Sequence, residues 1–169
     1  MPKVTRSKVA ASSLHMGALR LQSFVPYRLA VVAREISNSL ARKYAAEFGI
    51  SIPEWRVLAH LAEVEKCSSG GICARTAMDK AKVNRAVTRL VAAGLILAQT
   101  SSRDRRLNVL MLSRRGRAIY DRIVPIALSH ERFLTDALSA AERAGLLAIL
   151  DKLHRRVKEI GEAELASDL

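Results

Sequence analysis

The stretch Thr76–Ser113, with the sequence TAMDKAKVNRAVTRLVAAGLILAQTSSRDRRLNVLMLS, determines how the rest of the chain is organised. Asp79 stands where a helix N-cap should be, since its carboxylate can accept backbone N–H bonds from the first turn. Gly94 ends the same helix. Between these caps the apolar residues recur at the spacing of a buried helical stripe, formed by Val83, Ala86, Val87 and Leu90. The pattern predicts an amphipathic helix.

Two apolar segments follow this helix, with a loop rich in arginine between them. Leu95–Ala98 and Leu107–Leu112 are predicted to form a strand pair, and Thr100–Arg106 its projecting tip. The outer face of the helix is polar and cationic, and its residues are Lys82, Asn84, Arg85, Thr88 and Arg89. A helix of this kind followed by a basic β-hairpin is typical of a winged helix-turn-helix that binds duplex DNA.

Basic residues are in large excess and are concentrated in one part of the chain. The sequence holds 28 lysines and arginines against 16 aspartates and glutamates, a formal net charge of +12. Between Arg75 and Arg117 the only acids are Asp79 and Asp104. Because basic surfaces release counterions when they bind a phosphate backbone, this concentration favours a nucleic-acid partner.

Further helix signals lie on the N-terminal side of this stretch. Apolar residues from Tyr27 to Phe48 run at helical spacing, and Gly49 ends that helix. Ser51–Glu54 reads SIPE, a capping box with proline in the first turn, and opens a second helix that is expected to end near Lys66. The next segments are predicted to be a loop at Cys67–Gly71 and a short helix at Ile72–Thr76.

Two more helices follow the hairpin. Ser113 is expected to cap a long helix in which Pro125 causes a kink, because proline removes one backbone hydrogen bond. Ser139 and Glu142 form a second capping box that opens the last helix. The first helix and these two hold more apolar surface than a small DNA-reading unit can cover, so we predict a homodimer. Its two recognition helices would meet half-sites about 34–36 Å apart.

Together these elements predict a mainly α fold with a small β wing, in which a winged helix-turn-helix domain is flanked by a helical dimerisation region. The predicted parts are a basic N-terminal arm at 1–23, disordered or loosely docked, the dimerisation region at 24–50 and 114–160, the DNA-binding domain at 51–113 and a C-terminal tail at 161–169. No apolar run approaches the ~20 residues of a membrane span, and the N-terminus lacks the apolar core of a signal peptide. Cys67 and Cys73 are the two cysteines, which suits a reducing compartment, so a cytoplasmic protein is expected.

The order of elements and several motifs resemble the MarR family of bacterial transcriptional regulators. The resemblance covers roughly Pro26–Val157. Its motifs are IPEWRVL at Ile52–Leu58, TAMDK at Thr76–Lys80, GLI at Gly94–Ile96, RDRR at Arg103–Arg106 and LSRRGR at Leu112–Arg117. The resemblance implies a dimeric winged helix-turn-helix protein that binds a palindromic operator, typically a repressor released by a small ligand.

The resemblance also assigns roles on the wing. In the family an aspartate and an arginine two residues further on form the wing-tip pair, and here these are Asp104 and Arg106. A guanidinium held by a carboxylate can enter the minor groove in a fixed pose, and Arg103 and Arg105 would then contact phosphates. The chain departs from the family at Asn84, where serine or threonine is common, and this favours adenine as the base that is read.

On the recognition helix we expect two classes of contact. Base-edge contacts carry sequence, whereas phosphate contacts fix the register of the protein on the duplex. The predicted base readers are Asn84, Arg85 and Thr88. The predicted backbone contacts are Lys80, Lys82 and Arg89. A second departure from the family, glycine at both 70 and 71, falls at the start of the short helix that precedes this one.

The family binds its ligands in a cleft between the dimerisation helices and the DNA-binding lobe. The residues of this chain that fall in that region are Tyr27, Arg28, Trp55, Arg56 and His60. An aromatic side chain together with an arginine would suit an aromatic carboxylate or its thioester as effector. A tryptophan on an apolar face and a lone histidine more often have a packing role, so that role stays open for them.

Other functions compete with DNA-binding regulation. Cys67 and Cys73 would allow redox sensing, as in some members of the family, because Lys66 and Arg75 are nearby cations that favour a thiolate. A sequence-neutral nucleoid-type protein would share the high charge but not the asparagine-bearing face. An enzyme, a metal and a cofactor are not expected, because the histidines are scattered, no Cys/His spacing suggests zinc and no glycine-rich phosphate loop occurs.

Overall fold

The computed structural model describes residues 19–76, 78–100 and 108–167. In chain order the elements are α1 (Val25–Phe48), α2 (Ile52–Val64), β1 (Lys66–Ser68), α3 (Ser69–Thr76), α4 (Lys80–Ala92), β2 (Ile96–Thr100), β3 (Asn108–Leu112), α5 (Arg114–Thr135) and α6 (Ala140–Ser167). A single turn of 3-10 helix at Leu21–Ser23 precedes α1. The fold is mainly α with a small antiparallel sheet, as the sequence predicts. Along the described ranges, no helix combines the length and the hydropathy needed to cross a bilayer.

The chain divides into two compact units, and the boundary falls inside α1. The first unit is Met1–Ile36 and the second is Ser37–Leu169. In the described part of the first unit, Leu29 and Val32 on α1 expose their side chains. The second unit contains the three strands and the buried core. Its last helix, α6, continues past residue 160, where the predicted dimerisation region ends.

The residues predicted to cap α2 and α4 do so in the structure. The Glu54 carboxylate accepts hydrogen bonds from the Ser51 N–H and hydroxyl, both at 2.7 Å, and completes the capping box of α2. Asp79 accepts the Lys82 N–H at 2.7 Å and caps α4. Gly94 follows α4 with φ of 67°, a conformation that glycine adopts without steric cost.

The predicted loop at Cys67–Gly71 is wrong, because the segment contains a strand and the start of a helix. α2 ends at Val64 instead of near Lys66, and Glu65, with φ of 62°, turns the chain. β1 then pairs antiparallel with β3. Three residues are too few to show the alternating pattern of a strand, so no sequence signal marks β1.

Helix α3 begins at Ser69, before the two glycines, and not at the predicted Ile72. The Ser68 hydroxyl accepts the Gly71 N–H at 3.1 Å and thereby supports the first turn. A Cβ on Gly71 would overlap the Cys67 sulfur. A residue with a side chain at position 71 would therefore require the Cys67 side chain to move.

The first wing strand is shifted from its predicted position. β2 begins at Ile96 because the Leu95 N–H donates to the Leu90 carbonyl at 2.9 Å, which closes α4. β2 then continues beyond its predicted end, and its last pair with β3 is Thr100 with Asn108. The strand order β1-β3-β2 places β3 in the centre of the sheet.

The core of the second unit forms among α2, α3, α4, the sheet and α5. Its fully buried side chains include Leu58, Leu61, Ile72, Val83, Leu90, Ile96, Leu110 and Ile123. The apolar stripe predicted for α4 is confirmed, because Val83, Ala86 and Leu90 are buried and Val87 is half-buried. α4 is thus held by one face and presents the other to solvent.

The start of α5 is fixed against the turn that joins α4 to β2. Ser113 accepts the Gly116 N–H at 2.9 Å, while its own N–H donates to the Leu95 carbonyl at 3.0 Å. A Cβ on Gly116 would overlap that carbonyl, so the close approach depends on glycine. From here α5 continues through Pro125 to Thr135, and a kink at the proline stays a prediction.

Candidate nucleic-acid interface

The exposed face of α4 carries the six residues predicted to contact DNA on this helix. All six are solvent-exposed, and they are Lys80, Lys82, Asn84, Arg85, Thr88 and Arg89. They lie opposite the stripe of Val83, Ala86 and Leu90 that is buried in the core. A rigid helix with a cationic outer face is what entry into a major groove requires.

The six side chains divide into two sets around the helix. Successive residues of an α-helix are about 100° apart, so Lys82 and Arg89 lie on the same side, with Arg85 next to them. These three residues line a cleft against Ser51 and Pro53 at the start of α2. Asn84 and Thr88 lie on the other side of the exposed face, with Lys80 one turn before Asn84. Three of the four cations therefore form one edge, and the neutral hydrogen-bonding groups lie on the other with Lys80, a grouping that the sequence reasoning did not predict for Arg85.

The first turn of α4 is held by its cap. The Lys82 ammonium approaches the Asp79 carboxylate at 3.0 Å, in addition to the backbone bond from the same residue. That backbone bond lowers the pKa of Asp79 below its usual value, and the lysine side chain adds to the effect. Asp79 therefore remains charged and capping at neutral pH.

The predicted wing tip, with Arg103, Asp104, Arg105 and Arg106, lies outside the described residues, as does Leu107, the predicted first residue of the second wing strand. The described strands run up to it on both sides, ending in the pair Thr100 and Asn108. Their pairing brings the ends of the tip together as in a β-hairpin.

The predicted effector residues fall in both units. Tyr27 and Arg28 lie on α1 in the first unit and are exposed. In the second unit, an Arg56 N–H donates to the Ser37 hydroxyl at 3.3 Å. His60 is 6% exposed, and its Nε2 has no hydrogen-bond partner among the described residues. A buried polar atom in this condition is costly, so it is a candidate for contact with a ligand or an ordered water.

Trp55 is held between two tyrosines from other helices. Its ring is 5.8 Å from that of Tyr44 on α1 and stacks on that of Tyr120 on α5 at 5.7 Å. The Arg117 guanidinium lies 5.4 Å from the centre of the Tyr120 ring. Burial raises the pKa of Tyr44 to about 12. The indole thus has a packing role that joins three helices, and no local signal in the sequence indicates its contact with Tyr120.

The two cysteines lie in neighbouring elements. Cys67 is in β1 and Cys73 is in α3, and both are half-buried free thiols. Redox sensing by either one stays a prediction. Across the ranges that the structure describes, no cluster of three metal-ligating side chains occurs.

Comparisons of the sequence and of the fold with known proteins both find bacterial transcriptional regulators. A family model described as the MarR family matches residues 48–107. The transcriptional repressor NicR of Pseudomonas putida is 32% identical over 78 residues, which cover 46% of this chain and 49% of NicR.

Solved structures extend the match over most of the chain. A MarR/EmrR family regulator from Acinetobacter has a TM-score of 0.77 at 26% identity, covering 83% of this chain and 99% of that one. BpsR of Bordetella bronchiseptica, whose DNA binding is described as regulated by 6-hydroxynicotinic acid, has a TM-score of 0.70 at 25% identity, covering 77% and 98%. Residues 48–107 thus match the MarR family model, and the chain has the winged helix-turn-helix fold of solved MarR-family transcriptional regulators.

Proposed function

We propose that this regulator binds a palindromic operator as a homodimer and represses transcription from it. The observation that carries the proposal is the exposed face of α4, which joins cations to neutral hydrogen-bonding side chains on a helix fixed by its buried face. A helix held in this way can enter the major groove without losing its own packing. The description of NicR as a repressor supports the direction of regulation.

On this proposal the two edges of α4 have different tasks. Asn84 and Thr88 read base edges, and Arg85 reads a base from the cationic side. Lys82 and Arg89 contact phosphates beside the start of α2, and Lys80 contacts the backbone near the cap. Beyond the described strands, Asp104 holds Arg106 for the minor groove while Arg103 and Arg105 contact phosphates.

The homodimer is supported by the apolar surface of α6. No residue of α6 whose side chain the structure describes is buried. Leu146, Leu150 and Leu153 recur at helical spacing, and each is more than a third exposed. A contiguous apolar stripe of this length is unfavourable in water. A second copy of the chain covers it economically, because a two-fold pair also spaces two recognition helices for a palindrome.

The effector that we propose is an aromatic carboxylate. The support is chemical: 6-hydroxynicotinic acid, named for BpsR, is an aromatic acid, and this chain is rich in arginine. Roles for Tyr27 and Arg28, and for Trp55, Arg56 and His60, stay predictions from the sequence. Of the last three, His60 has a buried ring nitrogen without a hydrogen-bond partner in the described part of the chain, whereas Trp55 and Arg56 already contact protein groups.

Selection from a pool of random-sequence DNA duplexes tests the proposal, because the protein itself then determines which site is recovered. We expect enrichment of a palindrome whose half-site centres are about 10 base pairs apart, because that spacing matches one helical turn. Placed between a promoter and a reporter gene, the selected site should lower reporter expression when the protein is present. Binding without enrichment of any sequence would contradict the proposal and favour the nucleoid-type alternative.

A further inference from the structure

The carbonyl groups that follow α4 are held by the start of α5. The last carbonyls of a helix have no donors within the helix itself, so they must find donors elsewhere. The Ser113 hydroxyl donates to the Gly94 carbonyl at 2.7 Å, and the Ser113 N–H donates to the Leu95 carbonyl at 3.0 Å. The Arg115 guanidinium donates to the Ala93 carbonyl at 3.2 Å. Consecutive carbonyls at the end of α4 thus accept hydrogen bonds from the cap and the first turn of α5.

Ser113 and Arg115 differ in what they contribute to α5. The Ser113 hydroxyl also accepts the Gly116 N–H at 2.9 Å and caps α5, so a substitution at Ser113 would disturb that helix itself. Arg115 lies in the first turn of α5, and its exposed side chain extends back to the end of α4. A cation at the C-terminal end of a helix is favourable, and a charged donor forms a stronger hydrogen bond than a neutral one. Arg115 therefore connects the two helices and takes no part in the N-cap of α5.

Apolar packing does not fill the space between the end of α4 and α5. A cleft of about 350 Å³ lies there, and its lining includes Leu90 and Ala93 at the end of α4 and Arg115 and Ile119 of α5. Atoms that line a void lose the dispersion contacts that a filled space would provide, so packing resists movement less at this point. The angle between the two helices therefore depends on the hydrogen bonds beside the cleft.

We propose that Arg115 is a positioning residue for DNA recognition, which fixes the direction of α4 relative to α5 and thereby the half-site spacing that the dimer accepts. The inference rests on the proposed function, in which two copies of α4 contact one palindrome. Because α5 belongs to the helical region predicted to form the dimer, the angle between α4 and α5 in each copy determines the distance between the two recognition helices. Without the Arg115 contact, the end of α4 moves more freely and the dimer accepts a wider range of spacings.

Hydrogen exchange of the whole protein without DNA tests the contact. The N–H groups of Gly94 and Leu95 donate to carbonyls in the last turn of α4, both at 2.9 Å. We expect Arg115→Ala to speed the exchange of these two amides about fivefold, because loss of one hydrogen bond makes local opening easier. Arg114→Ala is the matched control, since it removes the same charge from an exposed residue that does not line the cleft. Equal exchange rates in the parent protein and both variants would overturn the contact.

Affinities for a series of duplexes test the positioning. The duplexes carry the operator selected from random DNA, with its half-sites at the selected spacing or one base pair closer or further apart. We expect the parent protein and Arg114→Ala to bind the altered duplexes about tenfold more weakly, because one base pair both shifts and rotates a half-site. In Arg115→Ala this difference should fall to about threefold, since the contact is lost in both copies of the dimer. Arg115→Lys, which keeps a cationic donor, should restore part of the preference and separates loss of the contact from loss of folding.

Two results would overturn the positioning role. One is an unchanged spacing preference in Arg115→Ala. The other is equal weakening of all the duplexes, together with a smaller slope of log affinity against log salt concentration, which would assign Arg115 to a phosphate. Failure to select any DNA sequence would instead contradict the proposed function, and the exchange rates would still test whether Arg115 holds the end of α4.

Discussion

The exposed face of α4 and the exposed stripe of α6 are two kinds of surface on one chain. The first is cationic and is supported by Val83 and Leu90, which are fully buried beneath it. The second is apolar, and no described side chain of α6 is buried. The core therefore stabilises α4 within a single chain, while the apolar stripe of α6 is left uncovered by the described residues.

Because of this difference, the stability of the folded chain and its association into dimers are expected to depend on different helices. A helix anchored in a core keeps its position whatever the protein concentration, whereas an uncovered apolar stripe gains its stabilisation only on association. Substitutions beneath α4 should thus change unfolding, and substitutions on α6 should change the concentration at which dimers form.

The largest effect is expected on α6. Leu150→Ala removes a side chain whose burial against a partner stabilises by about 1.5–3 kcal/mol, and two-fold symmetry applies the change twice. Sedimentation over a range of protein concentrations should show the dimer dissociating at higher concentration than in the parent protein. Lys152→Ala, at an exposed polar position of the same helix, should leave the dimer unchanged. Equal behaviour of the two variants would remove the evidence for an interface on this face.

Beneath α4, Leu90→Ala should destabilise the fold itself. The side chain is 1% exposed, and truncation of a buried leucine to alanine costs about 2–5 kcal/mol, because apolar contacts are lost and a cavity remains. Urea unfolding at fixed protein concentration measures the change. Val91, the next residue, is 40% exposed, and Val91→Ala should cost less than about 0.5 kcal/mol. Similar losses for both would mean that α4 is not anchored through this face.

On the outer face of α4, Arg85→Ala and Lys82→Ala should affect DNA binding in different ways. Loss of a base-reading arginine costs about 1–3 kcal/mol of operator affinity and relaxes discrimination between operator and scrambled DNA. Loss of a phosphate-contacting lysine should weaken binding to all DNA sequences alike. It should also reduce the slope of log affinity against log salt concentration by about one. Fluorescence anisotropy with both duplexes at several salt concentrations distinguishes them. If Arg85→Ala weakens the two duplexes equally, Arg85 belongs to the phosphate-contacting edge, with Lys82 and Arg89.

The sequence predicts features whose causes are local. The caps at Ser51 and Asp79 and the stripe of α4 are confirmed, because each depends on residues within one or two turns of the chain. The strand β1 and the stack of Trp55 on Tyr120 could not be predicted, since both depend on segments that only the fold brings together. The sequence pattern also placed Arg85 and Asn84 together as base readers. It shows that both are exposed, but not that Arg85 lines the cleft beside the start of α2 and Asn84 does not.

The smallest expected effect concerns pH and the contact of α1 with α5 in the second unit. His130 is 3% exposed, its Nε2 is 3.1 Å from the Ser39 hydroxyl, and burial, with a contribution from Lys43, lowers the pKa of the imidazole below its ordinary 6.5. The folded protein therefore favours the neutral ring. Below pH 6.5 the unfolded chain binds a proton that the folded chain resists, so this contribution to stability is complete above 6.5 and is lost as the pH falls towards the lowered pKa.

Each pKa unit of difference corresponds to about 1.4 kcal/mol of stability, so a single imidazole has a limited effect. Urea unfolding between neutral pH and pH 5, at constant protein concentration, should show a shallower loss of stability in His130→Gln than in the parent protein. His154→Gln, at an exposed position of α6, should retain the parent slope. Identical slopes in all three proteins would mean that protonation of His130 does not oppose the packing of α5 on α1, and that the pH dependence of folding arises elsewhere in the chain.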